Sequence, residues 1–406
     1  MPTSEELAKK ARRAKEKKAT LGPDIDLSRF SSQAEEIQSL DLASLPNGEQ
    51  ELLARAGIDV TGKNRSGTFV QVDHSVVCSR VNQEGLEVLS TEEALKKYDW
   101  LRDYWWKAVP IDADKYTSQA ELQWTKGYFL RALSGVRSIF PLQACLYMSQ
   151  EGIAQNVHNV IIVEEGAELH IITGCAVGPR VRSGLHVGVS EFYIKKGGKL
   201  TFTMIHNWGE EVAVRPRSVA VVEEDGLFLS NYVCLRPVES LQMYPTAYLK
   251  GENAVARFNS ILLATPTSLL DVGARVYLRK LGCRAEIISR AVTRGGRMWA
   301  RGHLIGEVPT IKAHMECQGL ILDEKGFVHA IPELEGLTKD MEISHEASVG
   351  KIAGEAITYL MARGLSEEEA IATIVRGFLD VKIKGLPQEL QRELDRIVTA
   401  SEKYMF

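Results

Sequence analysis

Short runs in which apolar and polar residues alternate fill the chain from about Gln119 to Ser344. A period of two is typical of β-strands, because successive side chains of a strand point to opposite faces of the sheet. Repeats of this kind predict stacked units, each of which buries its apolar face only against its neighbours. The runs are interrupted at intervals of 25 to 31 positions by glycines, most of which follow a charged residue, namely Gly166, Gly197, Gly226, Gly251 and Gly282.

The connections between these runs lack a helical pattern, and this decides which parallel sheet fits. A doubly wound sheet needs a helix between consecutive strands, whereas a coiled sheet does not. We therefore predict a mainly β protein whose core, residues 119–345, is a parallel β-helix. Strand direction cannot be read from periodicity, so a β-sandwich is the structural alternative.

The last alternating run, Met341 to Ala347, contains His345 and Glu346 as neighbours. In a regular strand these two side chains point to opposite faces of the sheet. A β-bulge at the end of the strand would aim both at the same face. The strand's regularity therefore decides whether the two can act together.

Beyond Ser348 the period of the apolar residues becomes helical. This stripe ends at Gly364, a residue suited to the left-handed conformation just after a helix. Ser366 and Glu369 then match a capping box at the start of a second amphipathic helix. The pattern predicts a helical hairpin with an apolar face to bury.

Helical patterns flank the repeats at both ends of the chain. Helical spacing from Ser32 to Gly57 and a cap signal at Ser90 predict an N-terminal helical domain over residues 1–118. Leu386–Phe406 carries one apolar stripe and a proline suited to a helix start, which predicts a third C-terminal helix. We assign residues 346–406 to a C-terminal helical domain.

Composition narrows the function classes. The 406 residues are 45% hydrophobic and carry a formal net charge of −4, with a pI near 6.2. An acidic chain has no long-range attraction to polyanions, so we expect no nucleic-acid partner. No apolar run reaches the ~18 residues of a membrane span, and no secretion signal is recognisable. We expect no membrane association and a cytoplasmic location.

Six cysteines are scattered without a CxxC motif, which fits a reducing compartment and excludes a ferredoxin-type cluster cage. The stretch SVGKI lacks the first glycine and the hydroxyl residue of a P-loop, so we do not expect this chain to bind ATP in that way.

Candidate soft or borderline metal ligands are Cys175, Cys317, His329 and His345. Each of these four residues also has a plainer interpretation as a core residue on an alternating apolar face.

Many short motifs occur in the order found in one protein family. Over roughly 290 residues from Ala113 onward, the chain resembles the SufB/SufD family of iron–sulfur cluster assembly scaffolds. The resemblance implies a right-handed parallel β-helix between helical terminal domains. The matching motifs are ADKYTSQAELQWTKGYFL, Gly174-Cys175, SGLHVGVSE, Asn207-Trp208, SRAVTRGGR, RGHLIG, HMECQGLIL, HAIP, and HEAS with the following KIAGEAITYLMARGLSEEEA.

The resemblance also implies roles for individual residues. His345 and Glu346 match the family's histidine and glutamate at the subunit interface, where a nascent cluster assembles. Cys175 matches the Gly-Cys position at which sulfur enters. The cysteine that SufB-type members carry before the HxxP segment is missing from Asp323–Phe327. Either a thiol one strand earlier replaces it, or the chain is closer to SufD, which contributes histidine only. The candidate metal ligands are therefore His345, Glu346, Cys317 and His329.

A donor set with few thiolates fits a scaffold better than a protein that holds a cluster permanently, because a stable cluster is usually held by about four thiolates. The resemblance thus implies a labile Fe–S cluster, of the 4Fe–4S type, on a protein that is not itself an enzyme. It also implies four kinds of partner: a SufC-like ABC-type ATPase, a second copy or a SufB/SufD-type paralogue, a sulfur donor, and client apo-proteins. We expect the ATPase to dock on the C-terminal helices at a polar rim of Arg363, Glu367, Glu368, Arg376 and Lys382.

Two other function classes are open at this point. A carbohydrate-active β-helix enzyme needs paired carboxylates on one strand face, and none are visible in the sequence. A purely structural β-helix would explain the repeats but neither HEAS nor the capped hairpin. We therefore favour the scaffold.

Overall fold

The computed structural model describes residues 4–38, 41–379 and 392. The α-helices in this part of the chain are α1 (Ser4–Arg13), α2 (Asn47–Arg55), α3 (Thr91–Lys97), α4 (Lys115–Leu122), α5 (Gly354–Met361) and α6 (Glu367–Leu379), and short 3-10 helices cover Leu27–Arg29, Leu42–Ser44 and Asp99–Asp103. The strands are β1 (Gly67–Val72), β2 (Ser75–Val81), β3 (Leu86–Ser90), β4 (Tyr128–Ala132), β5 (Leu142–Met148), β6 (Ala154–Val163), β7 (Glu168–Val177), β8 (Ser183–Ile194), β9 (Lys199–Asn207), β10 (Glu211–Val214), β11 (Arg217–Val222), β12 (Leu227–Cys234), β13 (Ser240–Met243), β14 (Thr246–Leu249), β15 (Val255–Ala264), β16 (Leu269–Leu278), β17 (Arg284–Thr293), β18 (Arg297–Gly306), β19 (Lys312–Ile321), β20 (Phe327–Gly336) and β21 (Glu342–Lys351).

The strands form a parallel β-solenoid of about eight coils. One sheet runs in the order β2-β1-β5-β7-β9-β12-β15-β17-β19-β21, and the other runs from β3 through β4, β6 and β8 to β16, β18 and β20. Neighbouring coils pair in register, as in the ten paired residues of β17 and β19. The predicted parallel β-helix is confirmed. The β-sandwich alternative is wrong, because its sheets would be antiparallel.

One corner position with a left-handed backbone sets the length of each coil. Its backbone N–H donates to a carbonyl in the corner of the next coil, as from Gly166 to Lys196 at 2.9 Å. Glycine tolerates this conformation, and Asp and Asn adopt it more readily than other residues do. Gly226 and Gly251, used above to count repeats, lie beside this position. Its occupants are Gly166, Gly197 and Gly282, with φ of 66°, 64° and 71°, and Asp225, Asn253, Thr310 and Asp340, with φ of 54°, 57°, 60° and 59°.

Aromatic rings stack inside the solenoid from coil to coil. Phe192 contacts Phe202 and Phe228 at centroid distances of 4.8 and 5.1 Å, and Phe228 contacts Phe258 at 5.7 Å. Burying a phenylalanine contributes roughly 1.5–3 kcal/mol, and each favourable ring pair adds about 0.5–1.5 kcal/mol. Stacking of this kind holds successive coils together from within.

The prediction of a purely helical region over residues 1–118 is incomplete. Strands β1, β2 and β3 lie within it, and β1 pairs in parallel with β5 while β3 pairs antiparallel with β4. The hairpin of β1 and β2 extends the first sheet beyond β5. All six residues of β1 are buried, and pairing with β5, which is far away in the sequence, sets its place in the first sheet.

A buried carboxylate fixes the segment before α4 to the solenoid. Glu191 of β8 is fully buried and accepts hydrogen bonds from the backbone N–H groups of Trp106, Ala108 and Val109, at 2.7, 2.6 and 3.0 Å. His158 Nε2 lies 2.9 Å from the same carboxylate. A single side chain therefore satisfies three backbone donors of a segment that is distant in sequence.

At the other end, β21 continues to Lys351 before α5 begins. The boundary predicted between residues 345 and 346 thus falls inside a strand. Pairing with β19 extends the strand to its end, and the local sequence pattern carries no signal of this partner. Among the described residues, none of the helices is long and apolar enough to cross a membrane.

The two helices after β21 are capped as the sequence predicts. Gly364 has a φ of 98° just beyond α5. Glu369 N donates to Ser366 Oγ at 3.2 Å, and Ser366 N donates to Glu369 Oε2 at 2.8 Å, which completes the capping box of α6. The predicted third helix, Leu386–Phe406, lies outside the described residues.

We predict that Glu191→Ala lowers the free energy of unfolding by about 3–5 kcal/mol, because it leaves buried donors without an acceptor. Urea denaturation followed by circular dichroism measures the loss. Glu165→Ala is the matched control, since Glu165 is exposed, and it should change stability by less than about 0.5 kcal/mol. Equal losses of stability in the two variants would contradict this role of Glu191.

Candidate functional site

Two of the candidate ligands share one face of the last strand pair. β21 is the final strand of its sheet in the described chain, and it pairs with β19 over ten consecutive residues. This register sets His345 beside Met315 and Ala347 beside Cys317. Cys317 and His345 therefore lie on the same inner face, offset by two residues, with Cα atoms about 8 Å apart from standard strand spacings.

Glu346 lies on the opposite, outer face of β21, because the pairing is regular and contains no bulge. It is exposed and lies beside Glu316 of β19. Glu316 is held by Arg290, whose Nη2 is 2.8 Å from its Oε1. The structure thus separates Glu346 from His345 within one chain.

His329 is placed apart from the other three candidates. It lies on β20, the last strand of the second sheet, and is exposed. Its neighbours Val328 and Ala330 pack against the core, so the imidazole faces outward. We call β20 and β21 the open edge, since each is the last strand of its sheet in the described chain.

The described chain alone does not hold a complete metal site. No group of three or more His, Cys, Asp or Glu residues within 4–38, 41–379 and 392 is placed to bind a metal ion. Cys317 is 1% exposed, and burial raises its pKa to about 11 despite the opposing charge of Arg290. The thiol is therefore protonated at neutral pH, and a metal would have to displace its proton. Cys317 and His345 together place one thiol and one imidazole on the same face.

Cys175 lies inside the solenoid, at one position of a column that crosses three strands. His206 of β9 pairs with Cys175 of β7 on one side and with Cys234 of β12 on the other. His206 Nδ1 is 2.6 Å from Tyr232 Oη. Burial raises the pKa of the Cys175 thiol well above its ordinary value and lowers the pKa of His206 well below its own. Both groups are neutral at pH 7.

Sequence reasoning missed His206, Tyr232 and Cys234 as part of this environment. A signal was present, because Cys175, His206 and Cys234 each follow the left-handed corner residue of their coil by nine positions. Two of the three corner residues are glycines, but the third is an aspartate. Counting from glycines alone hides the column.

An interior cavity of about 40 Å³ begins beside Tyr232 and extends as far as β17 and β18. Tyr232, Ser260, Ser289 and Cys317 are paired neighbours on successive strands of one sheet, and the first three line the cavity. Ser260 Oγ donates to Ser289 Oγ at 3.1 Å. A column of polar groups therefore connects the surroundings of Cys175 with Cys317.

The C-terminal hairpin has one packed helix and one exposed helix. Val375 and Leu379 of α6 pack on an apolar outer face of the first sheet. In the described structure α5 has no buried residue, and Tyr359 and Met361 are 58% and 44% exposed. The hairpin therefore packs on the solenoid through α6, while α5 is exposed.

The predicted polar rim lies on this hairpin. Arg363 Nη2 donates to Tyr359 Oη at 2.8 Å, with the guanidinium 5.0 Å from the ring centre. Glu367 and Glu368 are exposed in the first turn of α6, and Arg376 is exposed in its last turn, which suits the helix dipole. Lys382 lies outside the described residues.

Comparison with known proteins gives a consistent result. Residues 146–378 match the family model described as SUF system FeS cluster assembly, SufBD core domain. An iron-sulfur cluster assembly SufBD family protein of Methanothermobacter thermautotrophicus is 50% identical over 404 residues, covering 98% of each chain. A protein of the same name from Archaeoglobus fulgidus is 47% identical over 355 residues, covering 87% of this chain and 95% of its own. The iron-sulfur cluster assembly protein SufB of Bacillus subtilis is 32% identical over 374 residues, covering 90% of this chain and 77% of its own.

Proposed function

Because the chain belongs to the SufBD family of iron–sulfur cluster assembly proteins, we propose that it is a scaffold on which a labile cluster is built and passed on. The observation that carries this proposal is the half set of ligands, Cys317 of β19 and His345 of β21, on one face of the last strand pair of the first sheet. Two such half sets, one from each of two chains, supply the roughly four ligands of a 4Fe–4S cluster. A cluster held partly by imidazole should be labile, which transfer to a client apo-protein requires.

We propose that the second half set comes from another copy of this chain or from a SufB/SufD-type paralogue. The edge strands present unpaired backbone groups, which are a template for pairing with another chain. Leu337 and Val349 add apolar surface there, at 64% and 42% exposure. Glu346 and His329 face away from Cys317 in their own chain, and in this arrangement they are alternatives to a ligand of the other chain's half set, offered across the interface.

Sulfur reaches this cluster from a separate donor through Cys175. The polar column from Tyr232 to Cys317 supports this route, because it leads from the Cys175 environment to the proposed ligands. The six free cysteines fit the reducing cytoplasm, where we place the function. ATP hydrolysis belongs to a SufC-like ABC-type ATPase that docks on the hairpin, and the scaffold itself is not an enzyme.

A SufD-like accessory role is the second candidate. The observation that favours it is the protonated, buried state of Cys317, the one thiol among the proposed ligands. In that role the chain contributes His345 to a cluster whose thiolate comes from a paralogue. Replacing Cys317 separates the two roles, as set out below.

We predict that pairing depends on the open edge. Val349→Asp should weaken self-association, or association with a paralogue, at least about tenfold, because it buries an unpaired charge in the interface. Sedimentation velocity measures this. Val81→Asp is the matched control, since Val81 has a similar exposure of 39% on β2, in the first coil. A parent protein that sediments only as a monomer, alone and with a paralogue, would rule out the interface.

We predict that His345→Ala lowers the yield of reconstituted cluster by roughly tenfold or more, because it removes a direct ligand. Anaerobic reconstitution with ferrous iron and sulfide, followed by visible absorption, measures the yield. His314→Ala is the control, since His314 lies on the outer face of β19 and bonds Ser344 at 2.9 Å. Equal yields from both variants would rule out the assigned site. A Cys317→Ala variant that keeps full yield with a paralogue present would assign the SufD-like role.

We predict that the double change Tyr359→Asp and Arg363→Glu weakens binding of the SufC-like ATPase by about tenfold or more, because it removes the exposed ring and reverses the charge beside it. Affinity is measured with the purified ATPase. Thr358→Asp, an equally exposed change on the same helix, should bind like the parent. Unchanged affinity in the double variant would place docking elsewhere.

A further inference from the structure

The Cys175 environment contains a buried histidine with one nitrogen left over. His206 is 1% exposed, and its Nε2 has no hydrogen-bond partner among the described residues. Its other nitrogen, Nδ1, is occupied by Tyr232 Oη at 2.6 Å. A buried polar atom without a partner costs stability, so such an atom in a native core calls for a functional explanation.

The pairing of the strands sets this imidazole beside the thiol. Cys175 and His206 are direct partners on adjacent parallel strands, both facing the interior, with backbones about 4.8 Å apart. A nucleophile, a neighbouring base and a third group that holds the base are the parts of an activated thiol. Cys175, His206 and Tyr232 supply these three parts in this order.

We propose that His206 is the proton acceptor that activates Cys175 for sulfur uptake, and that Tyr232 is the positioning residue that orients its ring. This inference rests on the proposed role of Cys175 as the residue that receives sulfur. It adds the residues that make a buried thiol reactive.

The step balances without an oxidant. His206 Nε2 takes the proton of the Cys175 thiol as its sulfur attacks the outer sulfur of a donor persulfide, R–S–SH. The donor S–S bond breaks, a new S–S bond forms on Cys175, and the donor leaves as a thiolate that receives the proton from His206. The products are R–SH and a Cys175 persulfide, so no electrons are gained or lost overall.

Burial sets the resting protonation states of both groups. Burial holds the imidazole neutral, and in the tautomer whose Nδ1–H donates to Tyr232 Oη the free Nε2 can accept a proton. Burial also holds the thiol protonated, so it needs a base. Because burial lowers the pKa of the base and raises the pKa of the thiol, it opposes proton transfer ahead of the attack, so the transfer must accompany the attack on the donor sulfur. His186 also lowers the pKa of His206, and burial lowers the pKa of His186 itself to about 3. The titratable groups that face His206 are Cys175, Tyr232, Cys234 and His186.

The test loads the purified protein with cysteine persulfide and follows the gain of one sulfur on Cys175 by peptide mass spectrometry at several pH values. His206→Gln keeps a polar side chain of similar size but cannot exchange the proton, so uptake should slow by about 100-fold. The rate of His206→Gln divided by the parent rate should rise about tenfold per pH unit. The variant depends on the Cys175 thiolate, whose share grows with pH, whereas the parent uses His206 as its base. Tyr232→Phe should slow uptake by about tenfold.

Controls separate activation from access and from folding. Cys234→Ser removes the thiol on the other side of the same imidazole and should load like the parent. Alkylation of buried Cys145 reports access to the core in every variant. If His206→Gln does not fold, Tyr232→Phe and the parent's pH profile decide: a parent rate that rises tenfold per pH unit through neutrality would overturn the inference.

The outcomes distinguish this inference from the function it rests on. Undiminished sulfur uptake in Cys175→Ser would mean that Cys175 is not the receiving residue, and the proposed sulfur route would be wrong. Loss of uptake in Cys175→Ser together with parent rates and pH profiles in both His206→Gln and Tyr232→Phe would overturn the role of His206 alone.

Discussion

The in-register backbone ladder between coils is the constraint on which the rest of this structure depends. Each strand residue has a fixed partner one coil away, so like positions accumulate into columns that run along the solenoid. The left-handed corner keeps the ladder in register, because its N–H bonds the corner of the next coil. Any chemistry that needs several residues must therefore be built down a column or across the end of the stack.

Both kinds of site occur here. One column places Cys175, His206 and Cys234 side by side in a dry interior, where burial keeps each group neutral. The stack also ends at β20 and β21, beyond which the described chain has no further coil. Near this end, Cys317 of β19 and His345 of β21 share a face. A second column, from Tyr232 to Cys317, runs between the two places, so the proposed sulfur chemistry and the proposed metal chemistry rest on the same ladder.

The strict alternation of a regular strand explains why one chain is an incomplete cluster site. His345 and Glu346 are neighbours in sequence but face opposite ways, and His329 faces outward on the other sheet. A permanent four-ligand cage would need these groups on one surface. The division of these groups between faces suits the proposed scaffold, which shares a labile cluster between two chains.

The sequence by itself determined the coiled parallel sheet, the helical hairpin with its Gly364 stop and its Ser366 capping box, and the family, because periodicity, caps and ordered motifs are local signals. It did not reveal β1, which pairing with the distant β5 places in the first sheet, nor the end of β21 at Lys351, which pairing with β19 decides. It named Cys175, Cys317 and His345 singly, but the grouping of Cys317 with His345, and of Cys175 with His206 and Tyr232, required the register between coils. Register depends on hydrogen bonds between residues about one coil apart in sequence, and no local pattern carries that information.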